Sequence, residues 1–127
     1  MLCDLSRKEF QIVYDRLDIK LKEQGESFYN PMLRGMVDEL VEKKIAVEDQ
    51  GAICIFVGKK NSPPLMIQKS NGGFGYATTD LAAARYRANE VKADRVVYVT
   101  DVGQELHFKQ VFEAVKTKCM FVDPKKT

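Results

Sequence analysis

Apolar residues Phe10, Val13, Tyr14, Leu17 and Leu21 fall at helical spacing behind Ser6-Arg7-Lys8-Glu9. A serine followed three places later by glutamate lets each side chain cap a backbone amide, so the pattern predicts an amphipathic helix over 6–16. Gly25-Glu26-Ser27 breaks that period. Pro31 suits the first turn of a second helix, where its missing N–H is no loss, with Met32, Met36, Val37, Leu40 and Val41 along one face. The period then shortens. Ala46-Val47-Glu48-Asp49 and Ala52-Ile53-Cys54-Ile55-Phe56-Val57 flank Asp49-Gln50-Gly51, the signature of a hairpin. Leu65-Met66-Ile67-Gln68-Lys69 follows the Asn61-Ser62-Pro63-Pro64 turn as a short strand. A helix over 80–91 comes next. Arg95-Val96-Val97-Tyr98-Val99-Thr100 is a nearly continuous β-branched run, the form taken by a strand buried on both faces. A final helix is expected over 106–118. Strand, helix, strand, helix over 65–118 is the order of a parallel α/β unit.

Composition narrows the classes. The chain has 127 residues, one domain's length or part of a larger domain. Its 20 basic and 18 acidic residues leave a net charge of +2, with no clustered basic face of the kind that binds nucleic acid alone. Cys3, Cys54 and Cys119 are odd in number and lack C-x-x-C spacing, which reads as reduced thiols in a cytoplasmic protein. His107 is the single histidine, so no histidine-based metal cluster is expected. Neither a signal peptide at the N-terminus nor an apolar run of about 20 residues is visible, and no membrane partner is expected.

The stretch Gly72-Gly73-Phe74-Gly75-Tyr76-Ala77-Thr78-Thr79-Asp80 carries the first candidate chemistry. It fails as a phosphate loop, because no lysine follows Gly75. It fails as a dinucleotide fingerprint, because Thr78 stands where a third glycine belongs. What is left is a glycine turn or the wall of a pocket. Asp80, at the start of the expected helix, is either a helix-start acid or a carboxylate that grips a planar cation, with Tyr76 beside it. Asp101-Val102-Gly103-Gln104-Glu105-Leu106-His107-Phe108 follows the second strand at the same sheet edge. Ligands of open α/β sheets sit there, at the carboxyl ends of strands. Gln104 either donates and accepts in a pocket or is a solvated turn residue. His107 either contacts a nucleotide, moves a proton, or packs. No serine or cysteine adjoins it to suggest a hydrolase.

Taken together, Gly25-Glu26-Ser27-Phe28-Tyr29, Leu65-Met66-Ile67-Gln68-Lys69-Ser70-Asn71-Gly72-Gly73, Tyr76-Ala77-Thr78-Thr79-Asp80-Leu81-Ala82-Ala83 and Tyr98-Val99-Thr100-Asp101-Val102-Gly103-Gln104-Glu105-Leu106-His107-Phe108 resemble the central catalytic domain of arginyl-tRNA synthetases, in wording nearest the eukaryotic cytosolic form. The resemblance runs over nearly the whole chain. It implies an α/β fold: a partial Rossmann-like parallel sheet, the second half of a class I synthetase catalytic domain, preceded by a helical insertion with a β-hairpin. Residues 1–46 would be the helical segment and 47–127 the hairpin plus half-domain. It implies a ligase that activates L-arginine with ATP, accompanied by Mg2+, and transfers it to tRNA(Arg). Tyr76 and Asp80 would then hold the arginine side chain, Gln104 its main-chain end, and Gly103 and His107 would lie near the adenosine. The family's H-x-G-H and K-M-S-K-S signatures are absent, so this piece alone is expected to be inactive. Asn71 replaces the acid of the usual S-D-G, and 113–119 lacks the usual glycine. Half a Rossmann sheet leaves an edge open to pairing with a second copy. The competing reading is a non-catalytic α/β binding or interaction module.

Overall fold

The computed structural model describes residues 1–117. Cys119 and the residues beyond it, with the end of the expected last helix, lie outside the described residues. Four helices and one sheet follow in the order α1 (Leu2–Arg16), α2 (Glu26–Glu42), β1 (Val47–Asp49), β2 (Ala52–Ile55), β3 (Leu65–Gln68), α3 (Tyr76–Asn89) and α4 (Glu105–Thr117). A single 3-10 turn, Val102–Gln104, precedes α4.

The hairpin forms as its sequence dictates. Gln50 and Gly51 both take positive φ, 50° and 79°, the two-residue turn whose twist matches that of the flanking strands. Val47 pairs with Cys54 and Asp49 with Ala52. β3 then adds antiparallel to β2, past a register irregularity at Ile53 and Cys54, giving the order β1-β2-β3. The chain is therefore mixed α/β, but its sheet is antiparallel, and the parallel unit expected over 65–118 is not what the described residues form. Leu65 and Ile67 point into the core while Met66 is exposed, the alternation of a one-sided sheet.

The 95–100 run carries the main correction. It forms no regular strand, and Val97 and Val99 are 70% and 93% exposed. β-branched residues fit a pleated, buried surface, but a strand needs neighbours to supply its hydrogen bonds, and the described residues supply none. Tyr98 alone anchors the run, packing on Phe108 and Phe112 at ring distances of 5.3 and 5.0 Å.

Two helix starts also move. α2 begins at Glu26, so Pro31 sits inside it rather than in its first turn. The reason is aromatic packing: Tyr29 is buried, and Phe28 and Tyr29 meet Tyr86 of α3 edge-on at 5.2 and 6.1 Å. α1 starts at Leu2, which places Ser6 and Glu9 inside the helix instead of at a cap. Phe10, Val13 and Leu17 stay exposed, and no residue of α1 is buried. The core lies between α2, the sheet, α3 and α4, from Leu33, Met36, Val37 and Leu40 through Ile55 and Ile67 to Leu81, Val111 and Ala114. Ala77, Ala82 and Ala83 are buried on α3, and such small side chains let helices pack closely. Glu39 ties α2 to α3, 2.5 Å from Arg85 and 2.5 Å from Lys43. The Lys43 ammonium, with Arg85 adding to it, holds this carboxyl below its ordinary range.

Candidate amino-acid pocket

The glycine stretch resolves as a turn with a purpose. Gly72 takes φ +86° and donates its amide to the Lys69 carbonyl at 2.9 Å, folding the chain back after β3. Gly75 donates to Ile67 O at 3.2 Å. A Cβ at Gly75 would lie 3.0 Å from Met66 O, a close approach that a larger residue could keep only if the β3 backbone gave by a few tenths of an ångström. Gly75 is extended and serves as the N-cap residue, and Thr78, fully buried, turns its hydroxyl back onto Ile67 O. These bonds start α3 at Tyr76 instead of at residue 80. Asp80 consequently stands in the second turn, beyond the first-turn amides that would stabilise a helix-start acid. It lies one turn after Tyr76 on the same face.

That face of α3 is the wall of a cavity of about 580 Å³, within the range of small-molecule sites. Tyr76, Thr79, Asp80, Ala83 and Arg87 line it, while Ala77, Thr78, Leu81 and Ala82 face the core. Gln104 and His107 form a second wall, and Gln24, Gly25, Glu26 and Tyr29 at the start of α2 form the third. Of the residues singled out in the sequence, Tyr76, Asp80, Gln104 and His107 are thus brought together. Gly103 does not line the cavity; its amide donates to Asp101 Oδ2 at 2.9 Å in a tight turn.

The polar geometry is specific. His107 Nε2 lies 2.5 Å from Asp80 Oδ2, with both side chains a little under a third exposed, 28% and 29%. Tyr76 stands at the rim, 81% exposed. Arg87 donates Nη1 to Tyr98 Oη at 3.1 Å and lies over that ring, 5.3 Å from its centroid. Glu26 and Arg87 were missed in the sequence. The 76, 80, 83, 87 spacing would have found Arg87, whereas Glu26 carries no local signal because another helix brings it to the cavity. The cavity holds two carboxylates, and its arginine already faces an aromatic ring, a distribution that favours a cationic ligand. Cys54 is buried away from it, and burial pushes its thiol up, the setting of an inert core cysteine. Among the described residues no three His, Cys, Asp or Glu side chains converge as a metal site, and no helix is long and apolar enough to cross a membrane.

The sequence of the whole chain is matched by a known family. The model of the class I (R) tRNA synthetase catalytic domain matches residues 1–127, and the chain belongs to that family. The relatives are arginine–tRNA ligases. The chain is 56% identical over 121 residues to that of Crocosphaera subtropica, covering 91% of this chain and 21% of that protein. To that of Synechocystis sp. it is 51% identical over 129 residues, covering 98% and 22%. The crystal structure of the Plasmodium falciparum arginyl-tRNA synthetase superposes with a TM-score of 0.88 at 44% identity, over 99% of this chain and 22% of that one. The chain therefore spans about a fifth of the length of the relatives it matches. Of these three, the two cyanobacterial ligases are the more identical, so they lend no weight to the eukaryotic wording of the sequence.

Proposed function

We propose that this chain forms the amino-acid side of the active site of an arginine–tRNA ligase, an enzyme that joins L-arginine to ATP with loss of pyrophosphate and then passes it to tRNA(Arg). The observation that carries this reading is the convergence of Tyr76, Asp80 and Gln104 on one cavity in a member of this family. Asp80 accepts the guanidinium, whose parallel N–H groups match the two oxygens of a carboxylate; the single ammonium of lysine cannot satisfy both in that geometry. Tyr76 covers the side chain from the rim. The Gln104 amide orients the main-chain end, so that the arginine carboxylate is presented to the α-phosphate of ATP. Gly103 and His107 lie towards the adenosine. Mg2+ accompanying ATP is assigned no ligand in this chain.

The finer fold belongs to the same reading. The exposed β-branched run over 95–100 is a strand of the parallel Rossmann-like sheet, with its neighbours in the rest of the ligase. Residues 1–46 form the helical insertion and 47–127 the hairpin and half-domain. Standing alone, the chain offers that run as an edge for a second copy. The compartment is the cytoplasm, where arginine, ATP and tRNA meet. A non-catalytic module gains no support, since each relative named above is a ligase.

Calorimetry of the 127-residue chain with L-arginine and L-lysine tests the pocket. Half a site should bind arginine at roughly millimolar Kd, about −4 kcal/mol, and lysine at least tenfold more weakly. Equal affinity for both would contradict the assignment of Asp80.

A further inference from the structure

On α4 the buried residues Val111, Ala114 and Val115 form a helical stripe whose next position towards the N-terminus, one turn before Val111, is His107. Core packing of the helix therefore aims this imidazole at α3. It arrives at Asp80, on the cavity face, with Nε2 2.5 Å from Oδ2. The Phe108 ring stands edge-on to the imidazole at 5.1 Å. An ionised carboxylate only accepts hydrogen bonds, so the ring nitrogen facing Asp80 must carry the hydrogen. No other side-chain hydrogen bond to the Asp80 carboxylate is formed among the described residues.

We infer that His107 is a positioning residue for the arginine-binding carboxylate: its Nε2–H donates to Oδ2 of Asp80 and fixes the carboxylate plane for an incoming guanidinium. The inference rests on the arginine-pocket reading above and moves the main role of His107 from the adenosine to the amino acid. A carboxylate offers about four lone-pair sites. One is taken by the imidazole, and the pair facing the cavity stays open for the two-pronged guanidinium contact. Because both partners sit on packed helices, the geometry exists before the ligand arrives, and less ordering is left for binding to drive.

The test uses arginine-dependent ATP–pyrophosphate exchange in the complete ligase. His107→Ala should raise the arginine KM by roughly ten- to a hundredfold, the worth of a hydrogen bond to a charged group, while leaving the ATP KM unchanged. His107→Gln, whose amide N–H can replace Nε2–H, should restore most of the affinity. An unchanged arginine KM, or a rise confined to ATP, would overturn the role. Asp80→Ala, measured alongside, separates the two levels. If it behaves as wild type, the arginine pocket itself fails and the positioning role falls with it. If it is crippled while His107→Ala is normal, only the positioning role fails. The ring can also be read directly by ¹⁵N NMR in the untagged chain, where it is the single histidine; this arm holds even if the alanine variant misfolds. Nε2 should carry the proton and change its shift in Asp80→Asn. A bare Nε2, or a signal blind to residue 80, would exclude the contact.

Discussion

In the complete ligase, Asp80→Asn should lower kcat/KM for arginine by about 10²- to 10³-fold. Asparagine has the same shape, and its carbonyl oxygen still accepts from His107, so the change removes one charge and one of the two acceptors facing a guanidinium. Leaving one partner of a desolvated charge pair uncompensated costs about 2–5 kcal/mol, and each 1.4 kcal/mol is tenfold. The KM for ATP should not move. Stability should hardly change either. Asp80 is partly exposed and in the second turn of α3, and its hydrogen-bond partner survives the substitution. Pyrophosphate exchange with arginine and ATP varied in turn, together with a thermal melt, checks all three statements. Wild-type arginine kinetics would reduce Asp80 to a partner of His107.

The adjacent residue should behave in the opposite way. Leu81→Ala should destabilise the fold by about 3 kcal/mol, within the usual range for emptying a buried leucine site. Leu81 is fully buried in the cluster that joins Met36 of α2, Ile67 of β3 and Val111 of α4. Its loss opens a cavity where α3 meets three other elements, and the alanines around it are too short to collapse into the space. With total stabilities of about 5–15 kcal/mol, that is a large share, and the melting temperature should fall by roughly 10 °C. Denaturant unfolding followed by circular dichroism measures it. A change under about 0.5 kcal/mol, the scale of an ordinary surface substitution, would mean that α3 is not held as described. Consecutive residues of one helix thus divide the work: one faces the ligand, the other faces the core.

The elements that could be read from the sequence were those whose causes are local. The Gln50-Gly51 turn sets the hairpin, and of the apolar face read for α2 Met36, Val37 and Leu40 are buried, whereas Val41 is exposed and Tyr29 and Leu33 complete the buried stripe. The failures have non-local causes. The 95–100 run shows strong strand character, but pairing depends on neighbours that a propensity does not name. Pro31 resembled a helix start, until the packing of Tyr29 and Phe28 against Tyr86 extended the helix ahead of it. Tyr76 to Thr79 read as loop because glycines precede them, yet the bonds of Gly75 and Thr78 to Ile67 O begin the helix there. That shift removes the helix-start explanation of Asp80 and gives it a shared face with Tyr76. Four of the five candidate site residues meet at the cavity; Arg87 shares their helical spacing on α3, but Glu26 and the contact between His107 and Asp80 depend on helix packing that no single stretch encodes.

All of this depends on what the carboxylate at residue 80 touches when the substrate is present. A crystal structure of the complete ligase with L-arginine bound answers that directly. Two guanidinium nitrogens should lie about 2.7–2.9 Å from the two Asp80 oxygens, the distance of a charge-assisted pair, with His107 still on Oδ2 and Tyr76 over the aliphatic stem. Arginine seated elsewhere, with Asp80 bonded to His107 alone, would contradict the pocket.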